Sequence, residues 1–177
     1  MKKIITSGLL IYILTVLSSC EKAKVDISFN LDAANIYFVI EQNTTQGNLT
    51  FATTSFTSDL QAKLDENNAS IDDVESIELT AASFKMINPG SQNFDIVDKA
   101  NAYLSASGIA EIKVAYKDPV PDGVTQFSLD VESVNLKDYL KQSTVTFRAS
   151  GFTNAPNVER DSLQAMLTFK IKAKVKP

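Results

Sequence analysis

Three places in the 177-residue chain carry side chains whose type and spacing could do chemistry. The first is Cys20, the only thiol, which directly follows Leu17-Ser18-Ser19. A thiolate is a nucleophile, so a lone cysteine behind small residues is suited to accept a transferred group. The second is Lys170, Lys172, Lys174 and Lys176, which alternate with Ile171, Ala173 and Val175. Period two sets all four ammonium groups on one face of a strand. That face would meet an anion: a phosphorylated glycolipid, an acidic polysaccharide or a membrane surface, at about 1 kcal/mol per well-placed lysine on an anionic membrane. The plain alternative is a solvated strand whose lysines discourage edge-to-edge pairing. The third is Asp118 and Asp122 with Gly123, the best-spaced acids for a cation. They lack the Asp-x-Asp-x-Asp-Gly spacing of a calcium loop, and Pro119 and Pro121 make the segment a rigid turn. Neither a metal nor a cofactor is expected.

Other chemistry is limited by what the chain lacks. It has no His and no Trp, which removes the commonest general base and metal ligand and the strongest aromatic stacking platform. Ser and Thr abound, but the one Ser-x-x-Lys spacing is Ser19 to Lys22, so covalent catalysis has no activating partner. Asp95, Asp98, Glu111, Asp130 and Glu132 are scattered, and they read as a solvated face rather than a glycosidase carboxylate pair. With one Cys, no internal disulfide can form. The chain is therefore not expected to be an enzyme.

Residues 1–20 read MKKIITSGLLIYILTVLSSC. Lys2 and Lys3 make a positive start, and Ile4 to Leu17 is apolar except at Thr6, Ser7, Gly8 and Thr15. That stretch is too short and interrupted for a membrane span and has the length of a signal-peptide core. Leu17-Ser18-Ser19-Cys20 resembles the lipobox of bacterial lipoproteins. The resemblance covers residues 1–20 only. It implies that residues 1–19 are a signal peptide, that the Cys20 thiol receives a diacylglycerol, and that the new amine is acylated, palmitate-like chains then holding the protein at the membrane. At about 0.8 kcal/mol per buried methylene, two or three chains anchor permanently. Residues 20–24 would be a lipidated tether. Glu21 is not the Asp associated with inner-membrane retention, which favours the outer membrane of the cell envelope; periplasmic or surface exposure stays open. Asp161-Ser162-Leu163 resembles the Asp-Ser/Thr-apolar acceptor that some envelope bacteria O-glycosylate, which would make Ser162 a modification site; the alternative is an ordinary turn before the last strand.

The remaining elements must position these groups. Ala23 to Leu31 alternates, and Ile36 to Ile40 is a continuous apolar run, which predicts two strands, the second buried on both faces. Leu49 to Phe56 predicts a third. Ser58, Asp59, Leu60 and Leu64 predict a helix ended by Asn67-Asn68, and Ile71 to Val74 one further turn. Val74 to Phe84, Phe94 to Leu104, Ile112 to Tyr116, Phe127 to Val131, Val145 to Ala149 and Leu167 to Val175 read as extended, with a helical turn at Leu136 to Leu140. Seven to nine strands spaced by turns predict an all-β fold with one or two short helices: an antiparallel β-sandwich, immunoglobulin-like in general architecture, over residues 25–177. It looks broadly like small β-sandwich lipoproteins of unknown function in Gram-negative envelopes.

Removing residues 1–19 takes away Lys2 and Lys3 and leaves 15 basic against 21 acidic side chains, a net charge of −6. Such a protein repels nucleic acid. The expected function is a non-enzymatic binding or assembly module with an envelope protein or glycan as partner. The alternative is a carrier of a lipid or other hydrophobic ligand, with some of the ten Phe residues lining a cavity.

Overall fold

The computed structural model describes residues 24–43, 45–88, 93–157 and 159–175, with residues 32–34 followed as backbone only. Alternation becomes burial most plainly in the last strand, Asp161–Val175. There Leu163, Ala165, Leu167, Phe169, Ile171 and Ala173 are buried, and the residues between them face outward. The elements in order are β1 (Val25–Ile40), β2 (Gly47–Thr57), α1 (Leu60–Glu66), a 3-10 turn at Ile71–Asp73, β3 (Val74–Asn88), β4 (Val97–Ala106), β5 (Ile109–Lys117), β6 (Gln126–Val131), α2 (Lys137–Leu140), β7 (Thr144–Thr153) and β8 (Asp161–Val175).

Every strand pairing is antiparallel, and the hydrogen-bonded order is β1-β8-β3-β6-β5-β4-β7-β2. The pairs 1·8, 2·7, 3·6 and 4·5 are nested, as in an eight-stranded jelly roll. The general architecture is the expected sandwich, and its strand order is that of the jelly roll rather than of immunoglobulin domains. β6 passes between the two sheets: Gln126 to Leu129 pair with β3, and Asp130 and Val131 pair with β5. All odd-to-even connections lie at one end of the sandwich, because every strand crosses it antiparallel to its neighbours. The start of β1, the start of β3 and the end of β8 therefore share one end, and the loops around residues 41–46, 118–125 and 154–160 share the other.

The core lies between the sheets. Phe38 and Phe84 meet edge to face at 5.6 Å, and Phe147 reaches them from the facing sheet at 6.0 and 6.3 Å. Phe127 continues the chain from Phe84 at 5.8 Å to Phe94 at 4.7 Å. Burying such a side chain contributes about 1.5–3 kcal/mol each. On β7, Gly151 lies under the Phe51 ring: a Cβ there would stand 2.6 Å from Phe51 Cζ and 2.0 Å from the Lys99 carbonyl oxygen. Only a residue without a side chain fits. α1 buries Leu60 and Leu64 and ends at Asn67, followed by Asn68 at φ 52°, a conformation Asn tolerates better than most residues.

Four elements differ from expectation. In β5 a register slip against β4 buries both Val114 and Ala115 and turns Tyr116 outward, where unbroken alternation would have placed it inward. The predicted first two strands are one, β1, with a register slip against β8 between Ala33 and Asn35. The extra residue reverses the phase. Ile27, Phe29 and Leu31 face the core before it, and Ile36, Phe38 and Ile40 after it. Tyr37 consequently points outward at 63 % exposure, so the Ile36–Ile40 run is not buried on both faces. Phe94 to Ile96 form a turn, with Val97 N–H donating to the Phe94 carbonyl at 2.8 Å, and β4 starts only at Val97. β8 starts at Asp161 rather than near Leu167, because its first residues pair with β1 and β3.

Candidate functional site

The lysines predicted to share a face do so. On the outer face of the β1–β8–β3 sheet, Lys174 stands opposite Asp26 of β1. Lys172 is flanked by Ser28 of β1 and Ser76 of β3, and Lys170 by Asn30 and Glu78. β8 is an inner strand, so its lysines do not guard a sheet edge, and that expectation is corrected. They are met instead by carboxylates the sequence did not single out. Lys172 Nζ donates to Glu78 Oε1 at 2.9 Å. Lys174 Nζ lies 2.6 Å from Glu75 Oε1 and 3.9 Å from Asp26 Oδ1. The hydrogen bond from Lys172 holds the Glu78 carboxyl below its usual range, helped by the charges of Lys172 and Lys170. The hydrogen bond to Glu75 holds the Lys174 ammonium above its usual range, helped by the charges of Glu75 and Asp26. Among the described residues Lys170 makes no ion pair. Lys176 and Cys20 lie outside the described residues, as do the signal peptide and the tether up to residue 23.

Between these side chains lies a shallow depression of about 290 Å³, lined by Asp26, Ser28, Glu75, Lys170 and Lys172 together with Ile27 and Ala173. It presents ammonium, hydroxyl and carboxylate groups within one concavity. Asp26 and Ser28 were legible as the polar phase of β1. Only the pairing of β1 with β8 brings them beside the lysines. Glu75 sits at a register slip of β3 between Val74 and Ser76, which sequence periodicity does not reveal.

The other candidates are placed differently. Ser162 lies within β8 between Val39 and Asn88, not in a turn, and is partly exposed on the outer face. Its neighbour Asp161 points inward and is only 3 % exposed. Burial pushes the Asp161 carboxyl above its usual range, and the charge of Glu159 adds to this, against a lowering contact with Asn157. Thr153 Oγ1, Asn157 Nδ2 and Asp161 Oδ1 are buried without hydrogen-bond partners. Asp118 Oδ2 accepts from Lys99 Nζ at 2.7 Å, and the Gly123 N–H donates to Asp95. Glu111 takes a two-pronged pair from Arg148 at 2.6 and 2.7 Å, and the guanidinium lies 4.0 Å from the Tyr103 ring centre. Asp98 accepts from Asn154, Asp130 pairs with Lys117 and Glu132 with Lys113. The scattered acids thus hold the surface together, and among the described residues no three metal-ligating side chains cluster.

Five of the Phe rings considered for a carrier cavity, those of Phe38, Phe84, Phe94, Phe127 and Phe147, are in contact with one another. No helix among the described residues is long and apolar enough to cross a membrane.

No protein-family model matches the chain, and no curated protein matches its sequence. Among solved structures it is similar to the infectious bursal disease virus VP2 subviral particle, at 9 % identity and a TM-score of 0.39. The match covers 97 % of this chain and spans 37 % of the viral one. At that score the likeness carries no argument, and the jelly-roll order stands on the strand pairing alone.

Proposed function

We propose that the chain is a cell-envelope lipoprotein, anchored through Cys20 to the outer membrane, and that its sandwich binds a partner rather than catalysing a reaction. The observation that carries this is Leu17-Ser18-Ser19-Cys20 standing behind an apolar stretch and only five residues ahead of Val25, where β1 begins. A lipobox belongs at such a junction, between a segment to be removed and a folded domain. The lack of His and of any thiol besides Cys20 supports binding over catalysis. The contacts among Phe38, Phe84, Phe127 and Phe147 between the sheets support recognition on the surface rather than within a cavity.

Replacing Cys20 tests the anchor. Cys20 precedes β1 and is the only thiol, so Cys20→Ser removes neither core contact nor disulfide. Cells fed labelled fatty acid should label the wild type and not the variant, and the variant should leave the membrane fraction or persist as a longer precursor. Label retained by Cys20→Ser would overturn the anchor and the localisation with it.

A further inference from the structure

We propose that the depression between β1, β8 and β3 receives the phosphoethanolamine headgroup of a lipid in the membrane that holds the tether. The headgroup joins a phosphodiester anion to a primary ammonium two carbons away, and the depression carries both complements. Lys170 and Lys172 supply donors for the phosphate, with the Ser28 hydroxyl beside them. Lys172 spends one donor on Glu78 and keeps two more, while Lys170 has none committed to an ion pair. Asp26 and Glu75 supply acceptors for the ammonium. These two carboxylates already share one primary ammonium, that of Lys174, so their spacing suits the group. Each carboxylate can accept from more than one donor.

Charge decides between a zwitterion and a polyanion. Lys170, Lys172 and Lys174 stand against Asp26, Glu75 and Glu78, a net of zero. A purely anionic surface would bring its phosphates against three carboxylates. A headgroup with both charges satisfies both sets. Position adds to this. From Cys20 to Val25 the chain can extend at most about 18 Å, and Asp26 is the next residue. The choice of membrane rests on the anchored reading above; the headgroup chemistry does not.

The test uses the mature chain with Cys20→Ser, free of lipid, so its result is independent of whether Cys20 is acylated in cells. Vesicles of phosphatidylcholine alone, or of phosphatidylcholine mixed with phosphatidylethanolamine or with phosphatidylglycerol, are sedimented with the protein. The phosphatidylethanolamine mixture should capture roughly fivefold more protein than phosphatidylcholine, whose methylated ammonium has no N–H to give Asp26 and Glu75. Soluble glycerophosphoethanolamine should compete. Lys170→Gln with Lys172→Gln should lower capture by the phosphatidylethanolamine mixture. Asp26→Asn with Glu75→Gln should abolish the preference over phosphatidylcholine while raising capture by phosphatidylglycerol, a gain that an unfolded variant would not show. Equal capture by phosphatidylcholine and phosphatidylethanolamine would overturn the proposal. So would strongest capture by phosphatidylglycerol in the unsubstituted chain, or a preference that survives loss of both carboxylates.

Discussion

The two ends of β8 treat charge in opposite ways. At its last turns the strand carries Lys170, Lys172 and Lys174 outward, where water and neighbouring carboxylates meet them. At its first residue it carries Asp161 inward, with one carboxylate oxygen buried and unpartnered. A single rule produces both. Residues two apart share a face, so the phase that buries Leu163 to Ala173 also buries Asp161, and the phase that exposes Ser162 exposes the lysines. Charge on the outer phase costs little and can recruit a ligand. Charge on the inner phase is held against its preference by the rest of the strand, since an unpaired buried carboxylate is disfavoured.

Three substitutions along this one strand sharpen the contrast. Phe169→Ala removes a ring that is fully buried. It should cost about 3–5 kcal/mol of unfolding free energy, read as a lower urea midpoint at unchanged slope. Asp161→Asn should act in the other direction and less strongly. Because burial raises the folded carboxyl above its unfolded range, the wild type is most stable where the carboxyl is protonated, and it loses stability as pH rises through the folded value. The variant should gain on the order of 1 kcal/mol at pH 7, and urea titrations repeated at pH 4 should show the gap closing. A gap that widens on acidification would mean that Asp161 is paired rather than merely buried. Lys172→Gln should move the midpoint least, within experimental error, because its partner Glu78 is exposed and such pairs contribute little. A large loss there would assign the lysine row to the fold instead of to the surface.

Much of the architecture was legible in short windows. The helix after Ser58, with Leu60 and Leu64 buried, and the alternation of β7 follow from local pattern, whereas β5 changes phase at a bulge and β6 leaves Val131 exposed. What stayed hidden was either a change of phase or a long-range pairing. Asp32 to Asn35 looks like a break between strands because polar and small residues interrupt the run, whereas β8 pairs straight across it through a bulge. Asp161 looks like part of a turn because an acid rarely starts a buried phase. The lysine row was visible by spacing, yet its partners Glu78 and Glu75 lie 94 and 99 residues before Lys172 and Lys174 and reach them only through the β3–β8 ladder. Nested pairing of first with last strand is a property of the whole chain, and no window of it carries that information.

The long ladder between β1 and β8 has a mechanical consequence. It runs from Val25 opposite Val175 to Ile40 opposite Asp161. A pull between the start of β1 and the loops at the far end enters the fold at Val25 and acts along the axis of β1. The hydrogen bonds to β8 lie across that axis, so the force slides one strand past the other and strains the rungs together. The same strand drawn sideways would open one rung at a time, like a zipper. Under the anchored reading proposed above, tension would reach β1 in the direction where its sheet resists most.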